Sequence, residues 1–125
     1  MRYALIGCGR ISPNHIAAAK ANGLEIVGIC DINQAAMEEK ALKFGLGDVP
    51  QYTDYREMLK KEKPELAAIA TESGKHAAIA LDCIEAGCNL IIEKPIALSL
   101  ADADAILKAA KEKGVKVCAN HQNRF

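Results

Sequence analysis

Along this chain, short runs of consecutive apolar residues alternate with longer stretches in which apolar positions recur at helical spacing. Tyr3-Ala4-Leu5-Ile6, Leu66-Ala67-Ala68-Ile69-Ala70 and Leu90-Ile91-Ile92 are the clearest runs, and Ile26, Val27 and Ile29 make a further one around Gly28. A strand that is apolar at successive positions, rather than at every second one, is buried on both faces, which is the pattern of a parallel sheet covered by helices. Read in order, the pattern predicts strands over 3–6, 26–30, 49–52, 66–71, 89–92 and 115–119. Between them it predicts helices over 14–21, 34–44, 54–61, 76–86 and 100–113. Pro13 follows Ser12, which reads as an N-cap with proline in the first helical turn. Ser99 with Asp102 three positions on resembles a capping box, and Gly23, Gly45, Gly87 and Gly114 follow four of the helices. The expected architecture is a doubly wound α/β domain with a mostly parallel six-stranded sheet and helices on both faces. In such a fold the strand-to-helix loops share one edge of the sheet, and ligands bind there, at the switch point beside the first strand.

Composition narrows the partners. Half of the 125 residues are apolar, which excludes a disordered chain, and the length fits one domain. Sixteen basic residues balance sixteen acidic ones, so nothing favours nucleic acid or an anionic membrane surface, and small molecules or proteins remain. No apolar run approaches the roughly 20 residues of a membrane span, and Met1-Arg2 leads directly into a strand, so a cytoplasmic location is expected. The five cysteines show no Cys-x-x-Cys spacing and no clustering with the three histidines. No metal site is expected, and the thiols read as buried and reduced. Cys8, between two loop glycines, stands where a helix N-terminus would lower a thiol pKa.

Three stretches carry candidate chemistry. The first strand empties into Gly7-Cys8-Gly9-Arg10-Ile11-Ser12. A glycine turn feeding a helix N-terminus presents unpaired amide hydrogens and a positive dipole end to a phosphate, although the same pattern also serves an ordinary strand-to-helix turn. Asp31 ends the second strand 24 positions after Gly7, close to the roughly 20 expected of the acid that binds adenosine ribose hydroxyls; alternatively Asp31 or Asn33 caps the next helix. Ile32 and Asn33 supply no cation for a 2′-phosphate, which favours NAD over NADP. Glu93-Lys94-Pro95 follows the fifth strand at the same edge, as a polar turn or as the place of a lysine that lowers or relays the proton of a substrate hydroxyl.

Gly7-Cys8-Gly9-Arg10-Ile11 with His15 beyond it, Asp31, Thr71-Glu72-Ser73-Gly74-Lys75-His76, Glu93-Lys94-Pro95 and the final Asn120-His121-Gln122-Asn123-Arg124-Phe125 together resemble the N-terminal half of the glucose-fructose oxidoreductase / inositol dehydrogenase / MocA family. The resemblance covers the whole chain and implies an NAD(P)-dependent dehydrogenase of sugars, polyols or nucleotide sugars. Its last segment is most similar to enzymes that oxidise the 3-hydroxyl of UDP-linked N-acetylaminohexuronic acids. Carried onto this chain, it implies that Gly7, Gly9, Arg10 and Ile11 hold the pyrophosphate and Asp31 the adenosine ribose. Thr71, Ser73 and His76 would stand near the nicotinamide half, and Glu93 at the nicotinamide ribose. Lys94 would serve the chemistry, with Gln122 and Arg124 near nicotinamide or substrate. Ser12 and Glu72 depart from the family pattern. It also implies a further α/β domain with a catalytic histidine, so residues 1–125 are expected to be the cofactor-binding half, inactive alone and self-associating as a homo-oligomer. Two other classes remain open on these residues: a non-catalytic dinucleotide-sensing module, and an S-adenosylmethionine methyltransferase. His15 reads as a packing or hydrogen-bonding residue or as a cofactor contact, and His76 equally as either.

Overall fold

Strand β1 (Arg2–Ile6) lies between β2 (Glu25–Cys30) and β4 (Leu66–Ile69) in the computed structural model, which describes residues 1–8, 12–71, 75–93 and 99–120. Beyond these come β3 (Gln51–Tyr52) on one side and β5 (Asn89–Glu93) and β6 (Val117–Asn120) on the other, giving the order β3-β2-β1-β4-β5-β6. Every pairing is parallel, with Ile6 opposite both Cys30 and Ile69, and Ile69 opposite Ile92. The order reverses at β1, so a crevice opens at the carboxyl ends of β1 and β4.

Side-chain alternation explains the unbroken apolar runs. Tyr3, Leu5, Ala68 and Ala70 face one way, against Ile16 and Ala19 of α1 (Ser12–Ala21) and Met37 and Ala41 of α2 (Gln34–Lys43). Ala4, Ile6, Ala67, Ile69, Leu90 and Ile92 face the other way. There they meet Met58 and Leu59 of α3 (Tyr55–Glu62), Ile79 and Cys83 of α4 (His76–Glu85), and Ile106 of α5 (Leu100–Lys113). Strands β1, β2, β4 and β5 therefore lose water from both sides, at about 25 cal/mol per Å² of apolar surface, whereas the edge strands β3 and β6 stay partly exposed. Gly28 has a packing reason, since a Cβ there would lie 2.8 Å from Met58 Sδ, so α3 rides directly on the β2 backbone.

Helix ends follow local chemistry. Asn33 Oδ1 accepts from the Ala36 amide, Asp54 Oδ1 from Arg56 and Ser99 Oγ from Asp102, each a side chain satisfying an orphan donor of the first turn. Several expected bounds move: β4 ends at Ile69 rather than at 71, and β6 runs Val117–Asn120 rather than 115–119. Helix α1 already includes Ser12, which is therefore not the cap residue. The third strand shrinks to Gln51–Tyr52, and α3 stops at Lys63, a non-glycine residue at φ 47° whose amide bonds Leu59 O. No helix among the described residues is long and apolar enough to cross a membrane.

Candidate functional site

The site is built where β1 ends. Gly7 adopts φ +102°, and its amide donates to Cys30 O at 2.7 Å while Ala70 N donates to Ile6 O at 2.8 Å, so the turn leaves the sheet between the ends of β2 and β4. A Cβ on Gly7 would lie 2.7 Å from the Ala70 carbonyl carbon and 2.8 Å from Thr71 N. Both the dihedral and the neighbouring backbone thus demand glycine here.

Asp31, half-buried just beyond β2, is joined to that turn. Its Oδ2 accepts from the Cys8 amide at 2.7 Å and its Oδ1 from the Asn33 amide at 2.8 Å. Asn33 caps α2, whereas Asp31 braces the glycine turn. An ionised carboxylate has about four acceptor positions, so two amides leave room for two ribose hydroxyls. The donor set therefore fits an adenosine ribose.

Cys8 departs from expectation. Its thiol is 1% exposed, and burial, with the Asp31 charge in second place, pushes its pKa up to about 12 against a weaker opposing pull from Lys40. The helix N-terminus does not activate it, because the side chain turns into the apolar layer with Leu5 and Ile16. Cys30 is likewise pushed up to about 12 and Cys88 to about 11 by burial, and Cys83 is raised further still. Cys118 alone among the five is exposed, which corrects the expectation that all are buried. A thiol whose pKa is raised by folding contributes stability that is present below its unfolded value of 9.0 and is lost as pH rises past it. Urea unfolding should therefore show stability falling as pH rises from about 9 towards 11, with each buried thiol contributing about 1.4 kcal/mol per pH unit above its unfolded pKa.

Three polar side chains are buried among the described residues, His15, His76 and Glu93, and all three sit at the carboxyl edge of the sheet. His76 opens α4, and its Nε2 lies 2.8 Å from Thr71 O; since a carbonyl only accepts, Nε2 carries the hydrogen. The bond clamps the loop that joins β4 to α4. His15 of α1 meets Glu93 of β5, with Nε2 and Oε1 2.5 Å apart and the two side chains 4% and 10% exposed. The contact is at ion-pair distance but off the hydrogen-bonding angle, and His15 Nε2 has no hydrogen-bond partner among the described residues.

The structure thus links Asp31 to the glycine turn through the Cys8 amide, next to Gly7, with Thr71, His76 and Glu93 along the same edge. Gly9, Arg10, Ile11, Ser73, Lys94, Gln122 and Arg124 lie outside the described residues. His15 carries two signals in the sequence, its place in the first turn after the glycine loop and its part in the family resemblance, but neither points to Glu93. Among the described residues no group of three or more His, Cys, Asp or Glu side chains could hold a metal ion.

A parallel sheet in the order 3-2-1-4-5-6, with a glycine turn at its switch point and an acid at the end of β2, defines a dinucleotide-binding domain. Residues 1–121 match the GFO_IDH_MocA family, described as an oxidoreductase family with an NAD-binding Rossmann fold, and the chain belongs to it. It is 36% identical over 123 residues to a D-apiose dehydrogenase of Paraburkholderia graminis, covering 98% of this chain and 32% of that protein. It is 26% identical to an inositol 2-dehydrogenase of Salmonella typhimurium, over 94% of this chain and 35% of that one. The crystal structure of the WlbA dehydrogenase of Bordetella pertussis, in complex with NADH and UDP-GlcNAcA, superposes with a TM-score of 0.90 at 35% identity, covering 99% of this chain and 38% of that one. The chain spans about a third of the length of the curated relatives it matches.

Proposed function

We propose that residues 1–125 are the nucleotide-binding half of an NAD-dependent oxidoreductase that moves hydride between nicotinamide and a hydroxyl of a sugar, polyol or nucleotide sugar, the substrate pocket being completed by a further domain. The observation that carries the reading is the 2.7 Å bond from the Cys8 amide to Asp31 Oδ2, which makes the glycine turn and the ribose acid one preassembled unit. The sugar and inositol dehydrogenases among the relatives, and the nucleotide sugar bound to WlbA, support the substrate class.

Gly7, Gly9, Arg10 and Ile11 then surround the pyrophosphate and Asp31 takes the adenosine ribose hydroxyls. Thr71, Ser73, His76 and Glu93 line the nicotinamide side, and Gln122 and Arg124 lie towards the substrate. Bound nicotinamide supplies the hydride acceptor. Lys94 serves the oxidised hydroxyl either as an ammonium that lowers its pKa or, in its neutral form, as the base that takes its proton while hydride leaves carbon.

Titrating NADH into the chain and following its fluorescence tests the reading. Saturable binding is expected, at least about 10-fold tighter than NADPH, because a 2′-phosphate would meet the Asp31 carboxylate with no cation at Ile32 or Asn33. S-adenosylmethionine should not displace NADH. Absence of saturation at millimolar NADH would count against the proposal.

A further inference from the structure

Helix α1 packs on β1 and β2, two strands away from β5 in the sheet order. His15 nonetheless reaches across the end of β4 to Glu93, 2.5 Å from its Oε1, with both side chains withdrawn from water. Such a pair is a poor way to gain stability. Removing a carboxylate and an imidazole from water costs several kcal/mol, and apolar side chains of similar volume would pack at least as well. What the contact supplies is a fixed distance between the first turn of α1 and the carboxyl end of β5, beyond the apolar layer to which Ile16, Ala19 and Ile91 contribute.

One end of that tie is the first helix after the glycine turn. The other is the last residue of β5, followed in sequence by Lys94. A dinucleotide lies across the switch point with one half on each side. With Asp31 on the β2 side taking the adenosine half, the β4 and β5 ends face the nicotinamide half. We infer that His15 is a positioning residue which, through Glu93, sets the carboxyl end of β5 relative to the phosphate-binding helix and so determines how well the nicotinamide half is held. The inference rests on the nucleotide-binding reading proposed above.

The two halves can be read separately with NADH, which occupies both, and ADP, which keeps the adenosine and pyrophosphate but lacks both nicotinamide and its ribose. His15→Ala should weaken NADH by about 10-fold while changing ADP by less than about two-fold. His15→Gln, whose amide can donate to Glu93, should recover most of the loss. A variant that merely loosens the fold would weaken both ligands in parallel, and that result, or unchanged NADH affinity, would overturn the inference. If His15→Ala does not fold by circular dichroism, His15→Phe, which fills the space but cannot donate to Glu93, carries the same comparison: it should weaken NADH selectively over ADP while His15→Gln does not, and equal NADH affinity of the two variants would overturn the inference. An unsubstituted chain that binds neither ligand sinks the nucleotide-binding proposal itself, whereas tight binding of both with no selective loss sinks only the role given to His15.

Discussion

Gly7→Ala should lower the stability of the chain by about 3–5 kcal/mol and abolish measurable NADH binding. Two costs combine. A non-glycine residue at φ +102° carries about 1–3 kcal/mol of backbone strain. The added carbon would also stand 2.7 Å from the Ala70 carbonyl carbon and 2.8 Å from its oxygen, and these are backbone atoms that cannot swing aside as a flexible side chain would. Relief requires β1 and β4 to part at the switch point, which moves the Cys8 amide away from Asp31. Gly47→Ala is the matched control, since a Cβ there meets nothing within 4 Å and the backbone is not in the left-handed region. It should change stability by less than about 0.5 kcal/mol. Urea denaturation of the three proteins decides the matter, and equal midpoints for Gly7→Ala and Gly47→Ala would refute the account of the turn.

Asp31→Ala should weaken NADH on the order of 100-fold, through loss of hydrogen bonds from two hydroxyls to a charged acceptor. It should also cost about 2 kcal/mol of stability without any nucleotide, because the Cys8 and Asn33 amides lose their acceptor. The second effect separates this acid from one that serves only as a ligand contact. Removing its charge also removes the repulsion against a 2′-phosphate, so the preference for NADH over NADPH should shrink by about 10-fold or more. Parallel fluorescence titrations with the two nucleotides, beside a denaturant curve, measure all three quantities. Unchanged stability would mean that the Cys8 contact does not brace the turn.

Much of this was legible along the chain because the signals are local. Residues apolar at successive positions report strands buried on both faces, and the layers formed by Leu5 and Ile6 on opposite sides of β1 bear this out. Gly7 and the phase of Asp31 behind it were visible for the same reason, since turn geometry and strand length are set within a few residues. Lys63 was not legible: lysine gives no signal for a left-handed residue, and the helix stops there because Pro64 follows and the chain must enter β4. Cys8 was misread because sequence shows its neighbours in the loop but not which way the thiol turns.

The sequence by itself determined the order of strands and helices, the glycine turn, the acid in phase with it and the family, all of which depend on residue type and spacing. Only the tertiary structure decided that Asp31 holds the Cys8 amide, that His76 clamps Thr71, and that His15 meets Glu93 across 78 positions of chain. The reason is physical. Backbone preferences act over a few residues and can be read from them, whereas the direction and burial of a polar side chain are settled by whatever the fold packs against it.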